Sequence, residues 1–221
     1  TVQELSEWVQ YVNFVKDSPM SNLRQQNGRV KPWNVRYWGV ANEAWGCGGN
    51  MTADYYANLY KQYSTFMNTQ VGKEKIYRIA SGASDSDYNW TETLMKNIPG
   101  KLMEAVALHH YSVLSWGEGQ KSSATQFSDQ EYFKTMQQAL LMDELIEKHS
   151  AVMDKYDPEK KIALIVDEWG GWYNVEPGTN PGFLYQQNTM RDAVLAGATL
   201  NIFHKHCERV RMANLAQAVN V

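Results

Sequence analysis

The chain has 221 residues, a formal net charge of -3, 43% hydrophobic and 20% charged residues. That balance fits one sizeable globular domain. No run approaches the ~18 to 20 apolar residues of a membrane helix, and the scattered basic residues exclude nucleic acid and anionic membrane as partners. Cys47 and Cys207 are too few for a disulfide framework and show no metal-ligand spacing, although one disulfide stays open.

In chain order, Thr1 to Lys16 has Leu5, Trp8, Val9 and Val12 at helical spacing, which predicts an amphipathic helix rather than a signal peptide. An opening on a helix suggests that something upstream is missing. Val35 to Ala41 reads as an apolar strand, and Thr52 to Thr69 as a helix with Thr52 as N-cap. Lys75 to Ser81 is the next strand, ended by Gly82, followed by a short helix over Trp90 to Asn97 and a strand over Ala105 to His110. Asp129 to Tyr156 predicts a long helix with a face of Met136, Leu140, Leu141, Leu145, Ile146 and Met153, stopped by Asp157-Pro158. Ile162 to Trp169 is another apolar strand, Leu184 to His204 a helix, and Val210 to Asn214 a last short strand. Apolar strands alternating with helices predict a parallel sheet covered on both faces. A doubly wound sheet and part of a (β/α)8 barrel both satisfy this pattern.

Two carboxylates stand out by position. Glu43 closes VRYWGVANE and Glu168 closes IALIVDE, each where an apolar strand gives way to a Trp- and Gly-rich loop. Active sites of parallel α/β folds assemble at such strand ends. Glycoside cleavage needs two carboxylates, one to protonate the leaving oxygen and one to attack the anomeric carbon or activate water. Ion-paired strand-end acids are the competing account. His109 and His110 are adjacent on a strand, face opposite sides and cannot share one ion, so no metal is expected there. His204 and His206 are read as complementing a helix dipole. Gly46, Gly48 and Gly49 match no phosphate-loop spacing. They are read as a tight loop shaping a cleft, with Cys47 as a structural or pocket contact. The tripeptides Asn50-Met-Thr and Asn89-Trp-Thr are read as coincidence or local structure.

The segments WGVANEAWGCGGNMT (Trp38 to Thr52) and IVDEWGGWY (Ile165 to Tyr173) resemble the acid/base and nucleophile regions of the α-L-arabinofuranosidases of glycoside hydrolase family 51. RIASGASDSDYNWTE, ALHHYSV, NVEPGTNPGFLYQQNTMRDA and RVRMANLAQAVNV continue the likeness in the same order, over nearly the whole length. The resemblance implies that Glu43 is the general acid/base and Glu168 the nucleophile of a retaining double displacement. Asn42 is then expected at the sugar 2-hydroxyl, Tyr111 near the nucleophile, His109 as a supporting polar residue beside the site, Trp172 in the pocket wall and Gln217 at a sugar hydroxyl. Retention implies carboxyl groups about 5 to 5.5 Å apart.

The resemblance further implies an incomplete (β/α)8 TIM barrel over residues 1–221, holding barrel strands four to eight. The N-terminal strands, their carboxylate and a β-sandwich domain would be absent. Two open sheet edges would leave such a fragment unstable and inactive alone. The expected activity is release of terminal non-reducing α-L-arabinofuranosyl residues from arabinan- or arabinoxylan-type saccharides, with no cofactor. The full-length protein is expected to be a homo-oligomer, and cytoplasmic and exported locations are both compatible. The alternatives are another retaining glycosidase of the clan, a β-xylosidase or endoglucanase, and a non-catalytic carbohydrate-binding fragment.

Overall fold

The computed structural model describes residues 1–67, 75–117 and 119–216. Helix α1 (Val2–Asn13) opens on a capping box in which Thr1 and Glu4 satisfy each other's backbone donors. A second helix, α2 (Pro19–Gln26), which the apolar periodicity did not predict, starts on Ser18 with Pro19 in its first turn. Strand β1 (Tyr37–Val40) follows, then α3 (Ala53–Phe66), with Thr52 as the expected N-cap. Strand β2 (Tyr77–Ser84), helix α4 (Tyr88–Asn97) and strand β3 (Ala105–Ser112) come next. The second half holds α5 (Asp129–Asp154), β4 (Ala163–Gly171), α6 (Met190–Lys205) and β5 (Val210–Leu215). No described helix is long and apolar enough to cross a membrane.

The chain forms two compact units, one of Thr1–Ala83 with Asn89–Ala107, the other of Ser84–Tyr88 with Leu108–Val221. The strands run parallel and pair in sequential order, β1-β2-β3-β4-β5. This sequential parallel order is that of a (β/α)8 wall, and the doubly wound alternative, which requires a reversal of strand order, is set aside.

In the first unit the core lies between the sheet and α1, α3 and α4, with Val9, Tyr56, Tyr60, Ile79, Trp90 and Val106 buried. Asn13 fixes the approach to β1 with paired 2.7 Å bonds to the backbone N–H and C=O of Val35. Arg78 is buried against Glu104 in a two-pronged ion pair that also engages Ser64 and the Lys101 carbonyl. Burial pushes the Glu104 carboxyl up, but the Arg78 hydrogen bonds and charge outweigh it and hold the group below its usual range.

In the second unit Ile146, Met153, Leu164, Val166, Trp169, Leu195 and Phe203 form the core. The β4–β5 register slips between Val166 and Trp169: three steps along β4, from Val166 to Trp169, face two along β5, from Ala213 to Leu215. Such a bulge bends a strand and re-aims the side chains beside it. Asp167 and Glu168 are the residues inside it.

Three sequence expectations change. Gly82 does not end β2 but lies within it, because a Cβ there would sit 1.5 Å from the Ala107 carbonyl oxygen. Close strand approach, not chain reversal, demands the glycine. Helix α6 starts at Met190, not Leu184, because Thr189 and Asp192 form the capping box and residues 184–189 run irregularly. The buried stripe of α5 is Thr135, Ala139, Met142, Leu145, Ile146, His149 and Met153, while Leu140 and Leu141 are exposed. Both cysteines are free thiols, so the open question of a disulfide closes.

Candidate active site

In the first unit the end of β1 is tied down before the chain leaves the sheet. The Tyr56 hydroxyl donates to the Val40 carbonyl at 2.5 Å and accepts from the Ser81 N–H at 2.6 Å. Ala44 N–H donates to Ser81 Oγ at 3.1 Å, and Trp45 Nε1 to the Gly82 carbonyl at 3.0 Å. Between these ties Ala41 and Glu43 take left-handed backbone, with φ of 76° and 42°. Such conformations cost a non-glycine residue about 1 kcal/mol or more and persist where the surroundings impose them. The Glu43 carbonyl accepts from Gly46 and Gly48 N–H at 2.8 and 3.0 Å, which curls the loop around it. Gly48 is obligatory, since a Cβ would lie 1.7 Å from the Asn42 carbonyl oxygen. Cys47 donates through Sγ to Glu43 Oε2 at 3.2 Å, so the thiol contacts the carboxylate. Glu43 is half-buried and Asn42 exposed.

In the second unit four of the residues singled out from sequence come together. The Tyr111 hydroxyl donates to Glu168 Oε2 at 2.7 Å. Buried His109 places Nδ1 3.6 Å from the same oxygen and Nε2 3.1 Å from Asp167 Oδ1. Trp172 meets Tyr111 edge-to-face with centroids 4.7 Å apart, and Trp116 meets Trp172 at 5.5 Å, continuing the aromatic wall. Lys121 Nζ lies about 6 Å over both indole rings. Tyr111 and Trp172 also line a cavity of about 300 Å³ with Gly171, Gln186, Asp192 and Ala216. The Gln186 amide braces this wall, accepting from Tyr173 N–H at 2.9 Å and donating to the Gly171 carbonyl at 2.8 Å.

His110 faces away from this group, with Nδ1 2.5 Å from Asp85 Oδ1 and Nε2 2.9 Å from the Gln138 carbonyl. The two histidines therefore serve opposite sides of β3. His206 caps α6 and turns Nε2 to Asp143 at 2.5 Å, so a specific carboxylate accompanies the helix-end position. Gln217 lies outside the described residues. Asp167, Trp116 and Gln186 were not singled out from the sequence. Asp167 had the one available signal, adjacency to Glu168, but a regular strand would point it the other way.

Parallel strands in sequential order, with Glu43 just beyond β1, Glu168 within β4 and a Tyr, His and Trp cluster around Glu168, define part of a (β/α)8-type domain. The family model for the α-L-arabinofuranosidase 1 domain matches residues 1–145, and that for the α-L-arabinofuranosidase C-terminal domain matches residues 167–221. The intracellular exo-α-L-arabinofuranosidase of Bacteroides ovatus is 52% identical over all 221 residues, which cover 42% of that protein. The crystal structure of the family 51 arabinofuranosidase from Xanthomonas axonopodis pv. citri superposes with a TM-score of 0.95 at 49% identity, over 100% of this chain and 44% of that one. The α-L-arabinofuranosidase of Thermotoga maritima, solved as an arabinose complex, gives 0.79 at 28% identity, over 100% and 42%. The chain belongs to the α-L-arabinofuranosidase family, glycoside hydrolase family 51. It spans less than half the length of the relatives it matches.

Proposed function

We propose that the protein carrying this chain is a retaining exo-α-L-arabinofuranosidase that releases terminal non-reducing arabinofuranosyl residues from arabinan- or arabinoxylan-type saccharides. The observation that carries the reading is the Tyr111 hydroxyl bond to Glu168 Oε2, with the His109 edge beside the same oxygen, in the last half of strand β4. A carboxylate fixed in this way is oriented for attack rather than free to rotate. Glu168 attacks the anomeric carbon while Glu43, protonated, gives its proton to the departing glycosidic oxygen. Water then attacks the arabinosyl ester, Glu43 takes the proton, and Glu168 leaves as carboxylate. Retention by this route requires carboxyl groups about 5 to 5.5 Å apart. Asn42 meets the 2-hydroxyl and Trp172 walls the sugar. The names of the B. ovatus and T. maritima relatives support the arabinofuranoside class. The intact protein is proposed to act as a homo-oligomer without a cofactor.

The test is Glu168→Gly in the intact protein with an aryl α-L-arabinofuranoside. Turnover should fall by at least about 10³-fold, and azide should restore it, giving an arabinosyl azide of inverted configuration. Wild-type turnover in this variant would sink the nucleophile assignment. Turnover of an aryl xyloside in preference to the arabinofuranoside would favour the clan alternative, and no turnover of either by the wild type a binding role.

A further inference from the structure

Asp167 precedes Glu168 within the β4 bulge. Its side chain is 31% exposed overall, yet Oδ1 is buried and accepts no well-directed hydrogen bond. Burying a carboxylate oxygen in that state is unfavourable unless a neighbour compensates. The neighbour facing it is His109 Nε2, 3.1 Å away but off the hydrogen-bonding direction. The other ring nitrogen, Nδ1, faces Glu168 Oε2 at 3.6 Å. One imidazole edge is therefore bracketed by two consecutive carboxylates. A regular strand would send Asp167 and Glu168 to opposite faces, and the extra β4 residue between Val166 and Trp169 removes that constraint.

We infer that Asp167 is a positioning residue for the nucleophile, acting through His109. An imidazole turns easily about its last side-chain torsion, and the charge of a carboxylate 3.1 Å from one nitrogen favours the ring orientation that keeps that nitrogen there, which sets where the other points. With Asp167 on the Nε2 side, Nδ1 stays directed at Glu168 Oε2, the oxygen that also accepts from Tyr111. The bulge then has a purpose: it supplies the nucleophile and the anchor of its neighbouring ring from adjacent positions. This inference rests on the reading of Glu168 as nucleophile.

The experiment measures Asp167→Asn, Asp167→Ala and Asp167→Glu in the intact protein, with aryl α-L-arabinofuranosides of good and poor leaving groups. Asp167→Asn and Asp167→Ala should lower kcat by about 10- to 100-fold, the scale seen when an outer partner of an imidazole is removed. KM should stay within about threefold, and Asp167→Glu should recover part of the loss. The loss in kcat/KM should be equal for both leaving groups, because protonation by Glu43 is untouched. In a His109→Phe background, Asp167→Asn should add little, since the two act as one unit. The inference is overturned if Asp167→Asn keeps wild-type kcat, if its loss is additive with His109→Phe, if a good leaving group abolishes the loss, or if the loss only follows a fall in melting temperature. Azide rescue of Glu168→Gly alongside an unaffected Asp167→Asn removes this inference alone. Full activity of Glu168→Gly removes the nucleophile reading and this role with it.

Discussion

A single hydroxyl group separates Tyr111 bonded to Glu168 from an aromatic ring merely packed beside it. The 2.7 Å bond from the hydroxyl to Oε2 is charge-assisted, and such bonds contribute roughly 1.5 to 3 kcal/mol. Tyr111→Phe keeps the ring that packs edge-to-face on Trp172 and removes only the donor. We expect kcat to fall by about 10- to 100-fold with the melting temperature within a few degrees of wild type, measured by steady-state kinetics and calorimetry on one preparation. Unchanged kcat would show that the bond does not matter to turnover. At this scale the sequence was readable where chemistry and position coincide. Glu43 and Glu168 each close an apolar run; Glu43 follows the end of β1 by three residues, and Glu168 lies within β4, three residues before its end. Asp167 was not readable, because its direction depends on one extra residue in β4 relative to β5, and neither strand encodes that mismatch alone. Nor was the left-handed backbone of Glu43 foreseeable: its φ of 42° follows from the Gly46, Cys47, Gly48 turn closing on its own carbonyl.

Among the elements, caps and apolar runs were strong signals and faces were weak ones. Thr52 capped α3 as expected because its hydroxyl can accept from the Tyr55 N–H whatever the helix later packs against. On α5 hydrophobicity alone favours Leu140 and Leu141, whereas the buried stripe follows the helical period through Thr135, Ala139 and His149. Helix α2 gives no apolar signal because its buried positions are Ser21 and Arg24, polar residues that donate to the Lys16 and Tyr11 carbonyls. The same kind of polar anchor joins α5, β4 and β5. Arg209, immediately before β5, is buried and donates to Asp157 Oδ2 and to the Ile162 carbonyl, with Asp154 on its other arm. Asp157 also accepts from the Ile162 and Lys161 N–H groups at 2.7 and 3.1 Å. Arg209→Met removes the cation and leaves a largely buried carboxylate behind. Breaking a buried pair from one side costs about 3 to 5 kcal/mol, so urea unfolding of the intact protein should show a loss of that size. Arg209→Met combined with Asp157→Asn should recover part of it, and a single variant of wild-type stability would refute the anchor.

Across the whole molecule, pH reaches stability through groups that fold into environments unlike water. His149 is fully buried on α5, donates from Nε2 to the Asp85 carbonyl at 2.8 Å and packs against the Tyr88 ring at 4.7 Å. Burial pushes its pKa below the usual 6.5, and the opposing pull of the Asp85 carbonyl and of the Asp87 and Asp85 carboxylates does not reverse the shift. The folded protein therefore refuses a proton that the unfolded chain accepts. Above about pH 6.5 both states leave the ring neutral and its contribution is complete. As pH falls through the unfolded value the unfolded state gains protons first, and stability declines until the folded pKa is reached. A separate acid limb comes from Glu104 and Asp157. Burial pushes the Asp157 carboxyl up, but backbone bonds from Ile162 and Lys161 and the Arg209 pair hold it below its usual range. Their contribution is present above about pH 4, the unfolded value, and is lost as pH falls through the folded one. The intact protein should accordingly lose stability in two windows, one opening below about pH 6.5 and closing at the folded His149 value, the other opening below about pH 4. Replacing His149 by Gln removes the titrating ring but keeps an amide donor for the Asp85 carbonyl. That variant should start lower in stability, run flatter than wild type across the upper window and keep the lower limb unchanged. Chemical unfolding at closely spaced pH values measures both slopes, and parallel wild-type and His149→Gln curves between pH 7 and 5 would rule His149 out as the source of the upper one.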